Sequence, residues 1–302
     1  MALRDPFYAV IEAGGTKFNC AIVDENRNII EELRVPTTTP AETLSACVDF
    51  FKHQKTLGRD FSEMGIASFG PLDLKPDSTY WGYVTKTPKP NWSFTSVAPY
   101  LGDALGCRVA IDTDVNAAAM AEHRWGAGQN ANVVIYVTVG TGVGGGIVVN
   151  QQLLTGLQSI TGEWGHNPLC PDGPRCYCGR RGCIETFLSG PALVADYARR
   201  GGEPTTTAQT IAALAEDNDP LAQGVLSVFF NYFGQALATI INILDPHVVV
   251  IGGGLSCIDA LYSRGREAAA PYVFNDEFAT PIVSNINGDS AGVRGAAQLW
   301  PA

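Results

Sequence analysis

A short segment, residues 162–185, gathers two glutamates, one histidine and four cysteines within 24 positions. Four of these residues follow the spacing H-x9-C-x-C-x4-C, namely His166, Cys176, Cys178 and Cys183. One loop with this spacing can fold around a tetrahedral Zn²⁺, which prefers thiolate and imidazole ligands. Four protein ligands close the coordination shell, so we expect the zinc to hold the loop together and not to activate water. Cys170 is an alternative to one of the four.

Glu163 and Glu185 flank this loop and would be carried close together when the metal ties it. Carboxylates accept hydrogen bonds from pairs of sugar hydroxyls, and His166 can present one edge of its ring while the other nitrogen binds metal. The segment therefore predicts a polyol pocket formed by Glu163, His166 and Glu185. The alternative is that both glutamates are ordinary surface residues.

Three glycine-rich turns each follow a predicted strand: GGTK at 14–17, GTGVGGG at 140–146 and GGG at 252–254. Glycine lets a backbone approach a phosphate closely and point its N–H groups at the anion. The candidate nucleotide-binding residues are Gly14, Gly15, Thr16, Lys17, Gly140, Thr141, Gly142, Gly144, Gly145, Gly253 and Gly254. The pattern matches neither a P-loop nor a dinucleotide fingerprint. It predicts a polyphosphate held across a domain cleft, although the third turn could equally be a plain strand-to-helix connection.

Asp114 lies in the stretch IDTDVNAAA, where a predicted strand runs into an alanine-rich helix. A carboxylate at the carboxyl end of a strand can accept a proton from an attacking hydroxyl. Asp114 is therefore the candidate general base. The alternative is that it only caps the helix, a common role for aspartate. Asp112 is interpreted as structural or as orienting water on a metal.

The elements that must position these residues form two similar halves. Residues 7–23 and 132–149 each predict two strands joined by a glycine turn, and residues 40–57 and 221–244 predict helices. This indicates a duplicated α/β domain. We expect a small domain at 1–115, joined by a C-terminal helix at about 289–302, and a larger domain at 116–288 that carries the loop 162–185.

Composition restricts the classes of function. The chain has 302 residues, 46% of them hydrophobic and 17% charged, and a formal charge of −10. The negative charge argues against binding nucleic acid or anionic membranes. No apolar run is expected to approach the ~20 residues needed to cross a bilayer, and the N-terminus does not resemble a signal peptide. We expect a cytoplasmic protein with reduced thiols and no membrane or nucleic-acid partner.

Together the motifs resemble the ROK family of sugar kinases and sugar-responsive repressors, which has the two-domain actin-like ATPase fold, also described as ribonuclease H-like and hexokinase-like. The resemblance is carried by EAGGTKF, SFGPLDL, DTDVNAAAMAE, TVGTGVGGG, GEWGHNPL, CYCGRRGCIETFLSGPA, DPHVVVIGGGLS and GDSAGVRGAA. It implies transfer of the γ-phosphoryl group of ATP to a sugar, with Mg²⁺, structural Zn²⁺ and Asp114 as general base. The first two turns would hold phosphates, and Gly252–Gly254 would line the adenosine side. We also expect a homodimer.

EAGGTKF, DTDVNAAA and TKTPKPNW look like the fructokinase subgroup, so the expected reaction is D-fructose to fructose 6-phosphate. Mannose, glucose and N-acetylglucosamine are alternative substrates, because pocket shape decides among such sugars. The chain departs from the family at Glu12, where Asp is usual, and at Thr113, where Asn is usual. The repressor branch carries an extra N-terminal DNA-binding region, for which a first strand at residue 7 leaves no room. Non-kinase alternatives are a sugar sensor and an actin-like ATPase that acts on proteins.

Overall fold

The computed structural model describes residues 7–288 and 291–300. Within them the strands are β1 (Phe7–Ala13), β2 (Lys17–Asp24), β3 (Ile29–Pro36), β4 (Glu63–Ser68), β5 (Tyr83–Val84), β6 (Thr95–Ser96), β7 (Arg108–Thr113), β8 (Val133–Val139), β9 (Val143–Val149), β10 (Gln152–Leu153), β11 (Val248–Gly252) and β12 (Ile282–Ser284). The α-helices are α1 (Pro40–Thr56), α2 (Ala98–Leu105), α3 (Asp114–Trp125), α4 (Glu185–Leu188), α5 (Gly190–Arg199), α6 (Ala208–Glu216), α7 (Pro220–Leu244), α8 (Ala260–Ala269) and α9 (Ala291–Ala296). Short 3₁₀ helices occur at Glu163–His166 and Ala270–Tyr272.

The chain divides into two compact units. Of the described residues, unit 1 contains 7–121, 157–159 and 291–300, and unit 2 contains 122–156 and 160–288. Helix α3 begins in unit 1 and ends in unit 2.

Unit 1 is built on a sheet in the order β3-β2-β1-β4-β7. The predicted hairpin at 7–23 is confirmed, because β1 and β2 pair antiparallel, whereas β4 pairs parallel to both β1 and β7. Helix α1 starts with a capping box, in which Thr39 and Glu42 each bond the other's backbone N–H. This cap and Pro40 explain why the predicted helix at 40–57 begins where it does.

Both faces of the first sheet are covered, which explains why its central strands are almost continuously apolar. Alternate side chains of β1 belong to two different clusters: Ile11 packs into the larger one, and Val10 packs with Val293 and Ala296 of α9. The C-terminal helix predicted at about 289–302 is thus shorter, at Ala291–Ala296, and contacts β1 and β4. Residues 289, 290, 301 and 302 of that prediction lie outside the described residues.

Unit 2 repeats the same strand arrangement in the order β10-β9-β8-β11-β12. The predicted hairpin at 132–149 is confirmed by the antiparallel pairing of β8 with β9, and β11 pairs parallel to β8 and β12. Three antiparallel strands followed by two parallel ones therefore occur twice in the chain. This repetition agrees with the predicted duplication.

Helix α7 corrects one expectation from the sequence. It spans 25 residues and is long and apolar enough, by length and composition, to cross a membrane. However, 56% of its most apolar stretch is buried inside the protein, where Phe229, Phe230 and Phe233 belong to the unit 2 core. Core helices of soluble proteins pass the same test, so the length of α7 is weak evidence for a membrane span.

Candidate active site and metal centre

The first glycine turn and Asp114 lie at the same edge of the unit 1 sheet. In register, Ala13 of β1 faces Ser68 of β4, and Ser68 faces Thr113 of β7. Because these three strands are parallel, the residues that follow their carboxyl ends, among them Gly14 and Asp114, emerge together. The sheet thus places a candidate phosphate turn near a candidate base.

Carbonyl groups of the first turn are held by protein donors. The Gly14 carbonyl accepts from the Thr37 hydroxyl at 2.8 Å, and the Thr16 carbonyl accepts from the Thr37 N–H at 3.0 Å. The Gly15 carbonyl accepts from the Lys89 ammonium group. The Gly14 N–H donates within the turn, to the Lys17 carbonyl at 2.9 Å, so the backbone of the first turn is held at several points.

Asp114 is not the residue that caps α3. The Thr113 hydroxyl accepts from the Asn116 N–H at 3.2 Å, which is the bond that an N-cap side chain makes. Asp114 occupies the first helical position, and its carboxylate accepts from the N–H of Val115 at 2.9 Å. The capping bond of α3 is therefore made by the Thr113 hydroxyl and not by the Asp114 carboxylate.

Two further carboxylates lie on one face of the same sheet, since Glu12 and Asp112 both pair with Ala67 in register. Glu12 accepts from the Asn19 side-chain amide at 2.7 Å. Burial raises the pKa of Asp112, and hydrogen bonds from the Asn116 amide and the Thr113 N–H counteract this shift. Strand β4 lies between the two residues. Carboxylate oxygens are the ligands that Mg²⁺ prefers, so each residue is by itself a candidate ligand.

In unit 2 the second and third glycine turns lie side by side. Strands β8 and β11 are parallel, with Gly252 in register with Thr138, so the turns that follow them leave the same sheet edge. The Leu255 N–H donates to the Val139 carbonyl at 2.9 Å and fixes the third turn on the second. Gly253 has a φ of 82°, a conformation that favours glycine.

The segment GEWGH docks on β9 through a close approach of backbones. A Cβ atom at Gly162 would lie 2.0 Å from the Gly145 carbonyl oxygen, and one at Gly165 would lie 2.0 Å from that of Val143. Neither position can therefore hold a larger residue without a shift of the chain. The buried Trp164 indole donates to the Gly144 carbonyl at 2.9 Å. The start of the predicted sugar and zinc loop is thus bound to the strand that follows the second turn.

Glu185 joins the second turn to the cysteine cluster. One carboxylate oxygen accepts from the Val143 N–H at 3.0 Å, and the other lies 4.0 Å from the Cys176 sulfur. Glu163 lies close enough to His166 and Glu185 for their charges to act on its carboxyl group. Burial raises the pKa of Glu163, the nearby His166 lowers it, and the Glu185 carboxylate raises it. The three predicted sugar-binding residues are therefore neighbours in unit 2.

The four predicted zinc ligands form one cluster, whose donor atoms all lie within 4.8 Å of one another. The Cys176 sulfur is 3.5 Å from Nδ1 of His166, and the sulfurs of Cys178 and Cys183 are 3.6 Å apart. A tetrahedral ion with Zn–S bonds of about 2.3 Å holds its sulfur ligands roughly 3.8 Å apart, so the donor set fits zinc. Cys170 is not a member of the cluster.

The thiols of the cluster differ in acidity. For Cys178, burial opposes ionisation, but hydrogen bonds from the Arg180 side chain and backbone lower the pKa to about 6. Burial and the neighbouring thiols raise the pKa of Cys183 to about 12. A metal binds thiolates, so occupation of this cluster releases protons.

His166 presents its two ring nitrogens in different directions. Nδ1 faces Cys176, whereas Nε2 lies 3.1 Å from the Tyr177 hydroxyl. Burial and the negative charges of Glu185 and Glu163 raise the pKa of Tyr177, which places this phenol beside both glutamates. His166 therefore turns one nitrogen toward the cysteine cluster, while its other nitrogen is engaged by the Tyr177 hydroxyl.

Sequence reasoning missed several residues that hold the site. Thr37 and Lys89 support the first turn, and Trp164 and Tyr177 support the loop 162–185. The signals were present, because Trp164 and Tyr177 stand inside the motif that carries the cysteines and Lys89 stands in TKTPKPNW. Their roles depend on partners far away in the chain.

The chain is similar over nearly its whole length to known sugar kinases. The model of the ROK family matches residues 8–302. A fructokinase of Zymomonas mobilis is 39% identical over 97% of this chain and 95% of its own length. A fructokinase of Streptococcus mutans is 33% identical, with 92% of this chain and 89% of that protein covered. A glucokinase of Streptomyces coelicolor is 28% identical, with 96% of both chains covered.

Solved structures give the same fold, the actin-like α/β fold of ROK proteins. A ROK hexokinase from Thermus thermophilus has a TM-score of 0.84 and 30% identity, with 97% of each chain covered. A ROK family glucokinase from Streptomyces griseus, solved in complex with glucose and AMPPNP, has a TM-score of 0.79 and 28% identity, with 97% of this chain and 98% of that chain covered. The match to the family model and the two fructokinases spans nearly the whole sequence, and the chain therefore belongs to the ROK family.

Proposed function

We propose that this ROK sugar kinase transfers the γ-phosphoryl group of ATP to D-fructose and forms fructose 6-phosphate. The observation that carries the proposal is the assembly in unit 2, where Glu185 bonds the second glycine turn and approaches the cysteine cluster. A residue that contacts both can couple a sugar pocket to a phosphate-binding turn. The two fructokinase relatives favour fructose, and the glucokinase relatives make glucose the main competitor.

In the proposed reaction the oxygen of the sugar hydroxyl attacks the γ-phosphorus of ATP, and the bond between this phosphorus and ADP breaks. Asp114 accepts the proton of the hydroxyl during the attack. Glu163, His166 and Glu185 bind the remaining sugar hydroxyls. The three glycine turns and Lys17 hold the nucleotide. Positioning and electrostatics then supply most of the rate enhancement.

The proposed enzyme would bind two kinds of metal ion, zinc and Mg²⁺. Zinc would be held by His166, Cys176, Cys178 and Cys183 and would tie the loop that carries the sugar-binding residues. Mg²⁺, when bound with ATP, offsets charge on the phosphates, and Glu12 and Asp112 are the carboxylates that fit it. We further propose that the enzyme is cytoplasmic, forms a homodimer and binds neither nucleic acid nor membranes.

The test is a panel of sugars with ATP, assayed by release of ADP. Fructose should support the highest kcat/KM, and mannose, glucose and N-acetylglucosamine should follow. Phosphoglucose isomerase coupled to glucose 6-phosphate dehydrogenase identifies the product, because only the 6-phosphate enters this assay. A clear preference for glucose would refute the choice of fructose.

The same assay separates the non-kinase alternatives. A sugar sensor would bind sugar without releasing ADP, whereas an ATPase that acts on proteins would release ADP when no sugar is present. A kinase should show ADP release that depends on sugar and matches the sugar phosphate formed.

A further inference from the structure

Lys89 lies in the proline-containing stretch TKTPKPNW, which the proposed function leaves without a role. Its ammonium group donates to the carbonyl of Gly15, 74 positions earlier in the chain, and lies 3.4 Å from the Thr37 carbonyl. Gly15 belongs to the first glycine turn, and Thr37 bonds two other carbonyls of that turn. A single cation therefore holds the turn and its support.

The position of Lys89 is fixed by a neighbouring anchor. Trp92 is fully buried, its indole donates to the Thr38 carbonyl at 2.9 Å, and its ring packs against Phe18 and Phe69 with centroids 5.3 and 5.4 Å away. The Trp92 N–H also donates to the Lys89 carbonyl at 3.2 Å. The core thus holds the backbone of Lys89 in place, so that less backbone freedom is lost when its ammonium group binds.

We propose that Lys89 is a binding and positioning residue of the first phosphate turn: it holds the Gly15 carbonyl of the turn and the Thr37 carbonyl of its support, and it brings positive charge close to the bound triphosphate. This inference rests on the proposed function, because it needs a nucleotide at that turn. An ammonium group has three N–H donors, and two of them are directed at Gly15 and Thr37. Both acceptors are carbonyl groups, so Lys89 acts on the triphosphate through its charge and through the turn that it holds.

The physical reason is electrostatic. A turn that binds a polyphosphate needs its carbonyl oxygens directed away from the anion, since they would repel it. Lys89 attracts the Gly15 carbonyl to its own charge and leaves the N–H side of the turn to the ligand. Lys is suited to this role because its compact charge can serve several acceptors at once.

The test compares Lys89→Met with Lys86→Met in the full-length protein. Lys86 lies in the same loop and is exposed, and it makes no hydrogen bond or ion pair among the residues that the structure describes. Binding of adenosine, ADP and AMPPNP is measured by calorimetry, which needs no turnover. Lys89→Met should weaken AMPPNP about 10- to 100-fold, the range for loss of a hydrogen bond to a charged group, and should weaken adenosine less than 2-fold.

Two further measurements separate binding from a merely structural role. The KM for ATP should rise while the KM for the sugar stays unchanged, and Lys89→Arg, which keeps the charge, should recover part of the affinity for AMPPNP. Equal losses for adenosine and AMPPNP would show that Lys89 only supports the loop. Lys89→Met that binds like Lys86→Met would also overturn the inference. By contrast, a wild-type protein that binds no AMPPNP would refute the proposed function itself.

Discussion

At the scale of single residues, neighbouring side chains at the end of β7 have separate tasks. Thr113 caps α3 through its hydroxyl, whereas the carboxylate of Asp114, one position later, accepts from the N–H of Val115. Asp112 bonds the Asn116 amide at 2.7 Å and steadies the same turn. The helix cap thus belongs to Thr113, and it is separate from the role of general base that we propose for Asp114.

Asp114→Asn should lower kcat about 100- to 10,000-fold, because the amide cannot accept the hydroxyl proton in the transition state. Stability should change little, since the helix cap is not touched. The measurements are kcat with the preferred sugar and the melting temperature. Turnover close to that of the wild type would show that Asp114 is not the base.

Unlike Asp114→Asn, Thr113→Ala should lower the stability of the protein. Loss of the cap should cost about 1 kcal/mol in the free energy of unfolding, the usual value for an N-cap side chain. Thr113→Asn is the matched control, because Asn also caps helices well, and it should restore the stability. Denaturant unfolding of the two variants tests this, and an alanine variant as stable as the wild type would argue against the cap.

At the scale of elements, the loop 162–185 has little regular structure and is held at three places. Its first turn docks on β9, Glu185 bonds the second glycine turn, and the Cys₃His cluster joins the remaining parts. A loop with so few backbone ladders depends on its cross-links for order. Metal should therefore stabilise the loop and the sugar pocket together.

Cys178→Ser, or removal of zinc by a chelator, should lower the melting temperature and raise the KM for the sugar in parallel. Cys170→Ser is the control, since Cys170 lies in the same loop but outside the cluster, and it should keep the full zinc content. Elemental analysis measures the metal in each protein. Unchanged melting and activity after verified loss of zinc would contradict the structural role, and loss of zinc in Cys170→Ser would reinstate Cys170 as a ligand.

At the scale of the whole molecule, the chain builds the same sheet twice and passes from unit 1 to unit 2 along α3. Where α3 enters unit 2, the fully buried Glu122 accepts the N–H groups of Ala127 at 2.9 Å and Asn287 at 2.8 Å. It also accepts from the N–H of Ile286, 164 positions away in sequence, at 3.1 Å. One carboxylate therefore fastens the beginning of unit 2 to its end.

Glu122→Gln should destabilise the protein by about 1.5–3 kcal/mol, because hydrogen bonds to a charged acceptor are lost and an amide NH₂ group faces backbone donors. Glu216→Gln changes an exposed glutamate of the same unit, and its effect should stay within about 0.5 kcal/mol. Urea unfolding compares the two. A Glu122 variant as stable as the Glu216 variant would show that this carboxylate contributes little.

The sequence by itself determined the two hairpins, the helices at 40–57 and 221–244 and the four clustered candidate zinc ligands. These features depend on short-range patterns, such as strand alternation around a glycine turn or the spacing of cysteines in one loop. Membership of the ROK family was also predicted from sequence motifs alone. Each of these patterns involves residues that are close together in the sequence, so a short segment is enough to predict it.

Tertiary structure alone decided which residues support these patterns. Lys89 reaches Gly15 across 74 positions and Glu185 reaches Val143 across 42, and neither pairing leaves a mark on local sequence. The choice between Thr113 and Asp114 as helix cap depended on a one-residue shift in where α3 begins, which propensity does not resolve. Hydrogen bonds between distant segments form only when strands and helices have packed, so their partners are fixed by the fold.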